Sequence, residues 1–213
     1  MLIYISSFNS FLCVHGLIGT TYFQAMNAVS VPKNGLIHRI EHAGLCLEDH
    51  VKKAAQLNVS ISFFVQHLYF YGASYTDFVF GPERADRWAP ISLGIQNNIL
   101  WTIHQDHPTF PGPFQPFANI MTAVTRTERD KPSKVYGQQY CIPVEEALKA
   151  YTIYAARQIH KDRELGSITI NKKADLVILN NDPVKVGNQD PFKLVDIRAV
   201  SYTHLTLPTI YSV

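Results

Sequence analysis

The stretch Leu36-Ile37-His38-Arg39-Ile40-Glu41-His42-Ala43 decides the fold. Its apolar residues favour a buried β-strand, although four ionisable side chains lie among them. Because side chains alternate between the two faces of a strand, we expect His38, Ile40 and His42 on one face and Arg39 and Glu41 on the other. Two imidazoles on one face of a buried strand indicate either hydrogen-bonded core histidines or a functional site. Taken alone, the stretch favours neither interpretation.

The composition excludes several classes of protein. The 213 residues, 46% of them hydrophobic, suffice for one good core or two small ones. A net charge of +2 without a basic run argues against a nucleic-acid partner. No apolar run reaches the roughly 18–20 residues of a membrane span, and residues 1–14 are interpreted as a core strand rather than a signal peptide. The three cysteines are widely spaced, which fits a reducing compartment, so a cytoplasmic protein is expected.

Hydrophobic patterns predict strands that alternate with helices, which is typical of an α/β fold with a parallel sheet. An aromatic-rich segment, residues 69–80, is predicted to be a long loop that either walls a pocket or simply packs. The predicted strands are residues 10–15, 36–43, 59–65 and 99–104, followed by residues 166–170 and 174–179 joined by a turn. The predicted helices are residues 21–30 and 47–57, one that starts at 82, one that ends near 124, and one over 143–158.

A histidine or aspartate stands at or just beyond the carboxyl end of four predicted strands. These residues are His15, His42, His67 and Asp106. In a (β/α)8 barrel the carboxyl ends of the strands carry the chemistry. One such residue would be weak evidence, because a histidine in a loop is more often structural or solvated. Four of them at the same edge indicate a functional site.

Several motifs between residues 36 and 183 point to one family. They lie at residues 38–43, 81–85, 104–108, 122–126, 145–157, 165–168 and 173–183, the last containing Lys173-Ala174-Asp175-Leu176-Val177. Together they resemble the amidohydrolase superfamily, specifically its amidohydrolase 3 branch. This resemblance implies a metal-dependent hydrolase on a (β/α)8 barrel, with a small β-sandwich built from both ends of the chain.

The resemblance also implies roles for individual residues. His15, His42 and Asp106 are expected to bind the metal, and Asp106 is expected to transfer protons as well. Imidazole and carboxylate donors favour zinc among the divalent metals. The implied substrate is a small molecule with an amide-type carbon–nitrogen bond.

Three further residues are expected around those ligands. His67 matches a histidine that faces the substrate in the family. His38 and Glu41 are candidates for orienting a metal ligand by a hydrogen bond rather than for binding the metal.

The sequence departs from the family pattern in three places. The family's barrel begins with a His-x-His pair, which this chain lacks, and the match starts near the fifth strand. His15 is followed by Gly-Leu-Ile-Gly-Thr, where the family has His-small-x-Gly-Asp. The family ends in a strand with a Gly-Gly turn, whereas this chain ends in the different sequence of residues 201–213. We therefore expect residues 1–162 to form the C-terminal half of a barrel (about strands 5–8), residues 163–200 part of the β-sandwich, and residues 201–213 a non-native tail without structure.

The main interpretation is a hydrolase of carbon–nitrogen bonds. One alternative is a non-catalytic binding or regulatory module derived from the barrel, and another is a deaminase of the same superfamily. Half a parallel barrel leaves two open edges, which favour pairing with other chains, so a homo-oligomer is one expectation.

We expect the 213-residue chain alone to be inactive or nearly so, because two or three ligands without the His-x-His pair hold a metal weakly. The measurement is hydrolysis of amide substrates by an isolated preparation whose metal content is known. Turnover at full metal occupancy would contradict this expectation.

Overall fold

The computed structural model describes residues 11–13, 37–106 and 114–203, the first of these segments in its backbone only. The predicted helix over residues 21–30, His15 and residues 204–213 lie outside the described residues. The strands are β1 (Phe11–Cys13), β2 (His38–His42), β3 (Val59–Phe63), β4 (Trp101–Ile103), β5 (Val177–Leu179) and β6 (Ala199–Tyr202). The α-helices are α1 (Glu48–Gln56), α2 (Gln66–Ser74), α3 (Pro82–Asp86), α4 (Ser92–Gln96), α5 (Pro116–Thr125), α6 (Val144–Tyr151), α7 (Ile153–Gln158) and α8 (Pro183–Gln189).

Four strands form one parallel sheet in the order β1-β2-β3-β4. The register pairs His42 with Phe63 and Phe63 with Ile103, so the carboxyl ends of β2, β3 and β4 lie level with one another. The predicted α/β fold with a parallel sheet is confirmed. The consequence for function is that whatever follows these three strands meets at one edge.

The sheet has one apolar and one polar face. Ile40, Ile61 and Trp101 are register neighbours and are buried. On the opposite face Glu41 pairs with Ser62, and Ser62 with Thr102. The apolar face contributes to a core that includes fully buried alanine and valine side chains of α1 and α6, and small side chains there let helix and strand approach closely.

The aromatic segment over residues 69–80 is not the predicted loop. It continues α2 into a π-helical turn, Tyr75–Val79, which ends before Gly81. Tyr75 and Phe80 pack against the buried Trp88, at ring centroid distances of 4.8 and 5.6 Å. Tertiary packing therefore stabilises a helix in a segment whose aromatic residues have only modest helix propensity.

Two further predictions need correction. The helix expected over residues 143–158 is divided into α6 and α7 at Thr152, whose backbone is non-helical (φ −123°, ψ −97°). Residues 166–170 are not a strand, and Ile168 and Ile170 are 91% and 89% exposed. Their alternating pattern suits a strand, but alternation alone supplies no neighbouring strand to bond.

The C-terminal part contains a two-stranded antiparallel sheet rather than a described β-sandwich. β5 pairs with β6, not with residues 166–170 as predicted. Residues 201–202 belong to β6 and the Thr203 amide donates to the Leu176 carbonyl, so the expectation that structure stops at residue 200 is wrong for residues 201–203. No helix in the described segments is long and apolar enough to cross a membrane.

A buried arginine joins α5 to the loop after α3. Arg126 is completely buried and follows α5 in a left-handed conformation (φ +52°). Its guanidinium donates to the backbone carbonyls of Asp86, Trp88, Ala89 and Tyr136. Burial lowers the pKa of Arg126 to about 10, so the side chain remains a cation that backbone oxygens solvate in place of water.

Replacement of this cation tests its structural role. Arg126→Met leaves four backbone carbonyls without their donor, and we expect the free energy of unfolding to fall by about 3 kcal/mol or more. Arg129→Met is the matched control, because Arg129 is half-exposed and paired with Asp130, and it should change stability by less than about 1 kcal/mol. Chemical denaturation measures both, and equal effects would contradict the assignment.

Candidate active site

Two candidate metal ligands meet at the carboxyl edge of the parallel sheet. His42 Nε2 lies 3.8 Å from Asp106 Oδ1, and the two side chains are 12% and 44% exposed. Both residues have left-handed backbones, with φ of +69° for His42 and +52° for Asp106. Such a conformation is uncommon for a residue with a Cβ, and it often marks a functional position.

Because its backbone is left-handed, the His42 side chain does not follow the alternation of side chains between the two faces of the strand. The expectation that His42 shares a face with His38 and Ile40 is therefore wrong. The His42 ring instead stacks on the ring of His104 at a centroid distance of 4.9 Å. His104 lies on the polar side, where its Nδ1 hydrogen-bonds Ser62 Oγ at 2.8 Å.

Gly44 keeps the turn after β2 close to the core. A Cβ on Gly44 would lie 2.3 Å from the ring of Trp88, so this turn requires a glycine. The Gly44 carbonyl accepts from the Ala89 amide at 2.7 Å, and the Trp88 indole donates to the Phe64 carbonyl. The turn that follows His42 is thereby fixed against the loop that Arg126 holds.

His104 is a site residue to which the sequence analysis gave no role. Its ring packs against those of His42 and Phe64, which also contact each other, and its Nε2 is buried without a hydrogen-bond partner among the described residues. Burial, followed by the effect of His42, lowers the pKa of His104 to about 3. The ring is therefore neutral near pH 7. The sequence could have identified His104 by its position two residues after Thr102, since alternation predicts both side chains on the same face of the sheet.

Glu41 lies beside His104 rather than beside His42. One carboxylate oxygen pairs with Arg39 Nε at 2.5 Å, and the other lies 4.0 Å from His104 Nδ1. Gln158 extends the network, because its Oε1 accepts from Thr102 Oγ1 and from Arg39 Nη1. The orienting role of Glu41 stays a prediction.

His38 cannot orient a ligand at this edge. It begins β2, whereas His42 ends it, and the strand rise separates them by about 13 Å. Both ring nitrogens of His38 are buried without a hydrogen-bond partner in the described part of the chain. The supporting role of His38 stays a prediction, and in this geometry it is not directed to His42 or Asp106.

His67 lies in the first turn of α2, packed among aromatic rings. It is 8% exposed, and its ring centroid is 4.2 Å from that of Phe64 and 5.2 Å from that of Trp88. This is the packing of a core histidine. Its contact with substrate stays a prediction.

The donors present suit a zinc ion but do not complete its coordination. Imidazole and carboxylate are both zinc ligands, and a catalytic zinc site uses three protein ligands. Within residues 37–106 and 114–203 no group of three or more histidine, cysteine, aspartate or glutamate side chains could hold a metal. His42 and Asp106 thus supply two donors. His15, the third predicted ligand, lies outside the described residues.

A cleft of about 660 Å³ opens between α2 and α5. The segment over Val195, Asp196 and Arg198 also lines it. Its walls include Tyr69, Phe70 and Tyr71 of the aromatic segment. An apolar wall with a few polar groups is typical of small-molecule pockets.

The chain shares its fold with a solved structure. The structure titled uncharacterized metal-dependent hydrolase from Pyrococcus furiosus superposes with a TM-score of 0.65 at 22% identity, over 83% of this chain and 34% of that one. At this identity the likeness shows the fold alone.

The amidohydrolase family model matches residues 18–203, and the chain belongs to the amidohydrolase family. It is 28% identical over 190 residues to the Bacillus subtilis protein named Putative amidohydrolase YtcJ, covering 86% of this chain and 34% of that protein. It is 31% identical over 98 residues to 5-methylthioadenosine/S-adenosylhomocysteine deaminase of Thermoanaerobacter pseudethanolicus, covering 46% and 22%. The chain spans about a third or less of the length of each relative.

The depressed pKa of His104 predicts acid sensitivity. The unfolded chain takes up a proton near pH 6.5 and the folded chain only near pH 3, so the free energy of unfolding should fall as pH decreases through this interval. The slope is at most about 1.4 kcal/mol per pH unit. His104→Phe should reduce this slope, as measured by denaturation at several pH values. His160→Gln, which removes an exposed histidine, should retain it; an unchanged slope in His104→Phe would contradict the assignment.

Proposed function

We propose that this chain is part of a metal-dependent hydrolase that cleaves carbon–nitrogen bonds in small amide-type molecules. The observation that carries the proposal is the 3.8 Å approach of His42 Nε2 and Asp106 Oδ1 at the carboxyl edge of a parallel sheet. Family membership supports the same reaction class.

We also propose that the four-stranded sheet is the C-terminal half of a (β/α)8 barrel. Two observations support this arrangement. The four strands are parallel and in sequential order, as neighbouring strands of such a barrel are. On the polar face Arg39 pairs with Glu41 and donates to Gln158 of α7, and this partly buried network suits the interior of a closed barrel better than an outer surface.

His42 and Asp106 are the residues that would hold the metal. A divalent ion, zinc by its donor preference, lowers the pKa of a bound water to roughly 7 and polarises a carbonyl group. The family's remaining ligands must come from outside the described residues, with His15 as the candidate in this chain. His104 contributes a neutral ring that packs against His42 and restricts its orientation.

Asp106 is the proposed proton-transfer residue in amide hydrolysis. Water adds to the carbonyl carbon and loses one proton to the Asp106 carboxylate, which acts as general base. The same carboxyl group then donates that proton to the departing nitrogen as the carbon–nitrogen bond breaks. The products are a carboxylic acid and an amine, and Asp106 returns to its starting state.

Zinc affinity tests this assignment on the 213-residue chain. His42→Gln and Asp106→Asn each remove one donor, and each should weaken zinc binding by about tenfold or more in competition with a chromophoric chelator. His50→Gln is the matched control, because His50 lies on α1, where its ring accepts from the Leu47 amide, and should bind zinc as the wild type does. Undiminished zinc affinity in both site variants would refute the proposed ligands.

A deaminase is the second candidate, and one relative at 31% identity is named as such. Deamination uses the same activated water, but its product is ammonia released from an amino-substituted ring. An assay of the complete protein that follows ammonia from aminopurines, and amine from N-acyl compounds, separates the two reactions.

A further inference from the structure

One fully buried asparagine connects the candidate active site to two helices. Asn119 lies in the first turn of α5 and is 0% exposed. Its Nδ2 donates to the His104 carbonyl at 3.0 Å and to the Tyr151 hydroxyl oxygen at 2.7 Å. The first bond reaches the segment just beyond β4, and the second reaches α6.

The His104 peptide is held on both sides. Its amide donates to the Phe63 carbonyl on β3 at 3.1 Å, and its carbonyl accepts from Asn119. Only Gln105, itself 7% exposed, separates this fixed residue from Asp106. The backbone that leads into Asp106 is therefore constrained by two different elements, β3 and α5.

Asp106 needs such a constraint because its backbone is left-handed, with φ of +52°. A residue with a Cβ leaves this conformation readily unless its surroundings hold it. The side chain is 44% exposed. The backbone that leads into Asp106 is held two residues earlier, at His104, by the bonds to Phe63 and Asn119.

The side chain of Asn119 is used as a donor. Its Oδ1 is buried and has no hydrogen-bond partner among the described residues, whereas Nδ2 serves two acceptors. An asparagine kept only to join two helices would need the bond to Tyr151 alone. The bond to His104 is the one that reaches the active-site edge.

We propose that Asn119 is a positioning residue for Asp106, acting through its hydrogen bond to the His104 carbonyl. This inference rests on the proposed function, because Asp106 is there assigned to bind metal and transfer protons. Asn119 itself touches neither carboxylate nor substrate. It fixes the direction in which the chain leaves β4 and thereby the distance from Asp106 to His42.

The experiment uses two loss variants and one matched control of the 213-residue chain. Asn119→Leu removes the donor at similar volume, and Asn119→Asp removes it with the same shape. Tyr151→Phe removes the other acceptor of the same Nδ2 and leaves the bond to His104 in place. Cobalt(II) affinity is measured from the visible absorption, and the backbone of Asp106 is followed by its HN–Hα coupling and 13Cα shift.

Both loss variants should weaken cobalt(II) affinity by roughly 10- to 100-fold, as loss of a residue that orients a metal ligand does. Both should also move the Asp106 backbone signals away from left-handed values. Tyr151→Phe should leave affinity and signals as in the wild type. Because the backbone signals need no metal, a wild-type chain that binds no cobalt(II) would overturn the proposed metal ligands while the test of Asn119 still stands.

Three results would overturn the inference. The first is an Asp106 backbone that is unchanged in a folded Asn119 variant. The second is an equal loss of affinity in Tyr151→Phe, which would make Asn119 a joint between helices only. The third is failure of both Asn119→Leu and Asn119→Asp to fold, which would make its role purely structural.

Discussion

The in-register pairing of β2, β3 and β4 is the constraint on which the site depends. Parallel strands that end level bring the residues at their ends to one edge, and here these are His42 at the end of β2 and Phe64 and His104 just after β3 and β4. The sheet brings these residues close together but does not determine where their side chains point. Direction comes from the two residues that leave the strand conformation, His42 and Asp106, both with positive φ. A site of this kind needs a rigid sheet to set positions and local strain to aim side chains.

A residue with a strained backbone at a strand end must be held by its surroundings. The molecule provides such support at two places. On the β2 side, the ring of Trp88 packs against Gly44, and the loop carrying Trp88 is fixed by the buried guanidinium of Arg126. On the β4 side, the peptide of His104 is bonded to β3 and α5. In both cases a side chain from α5 or its C-terminal cap donates to backbone carbonyls. The helix therefore organises the active-site edge as well as the core.

The sequence predicted the sheet well because each of its strands carries its own pattern. Strands β2 to β4 and helix α1 lie where hydrophobic periodicity predicted them, and parallel order predicts that His42 and Asp106 lie at the same edge of the sheet. The failures arise where distant contacts override local pattern. Residues 69–80 are helical because they pack around Trp88, and residues 166–170 lack a strand neighbour. Alternation predicts which face of a strand a side chain such as His38 occupies, but not which end of the strand serves the site.

Trp88 carries a consequence of a different kind. Its indole lies against Gly44, two residues from His42, and its ring centroid is 5.2 Å from that of His67. The fluorescence emission of an indole depends on the polarity of its surroundings, and a protonated imidazole nearby quenches it. Both tryptophans of the chain are almost fully buried, and Trp88 is the one that touches the turn beside His42. The protein thus contains its own fluorophore at the turn beside His42, and movement of that turn can be observed in the native chain without an added label.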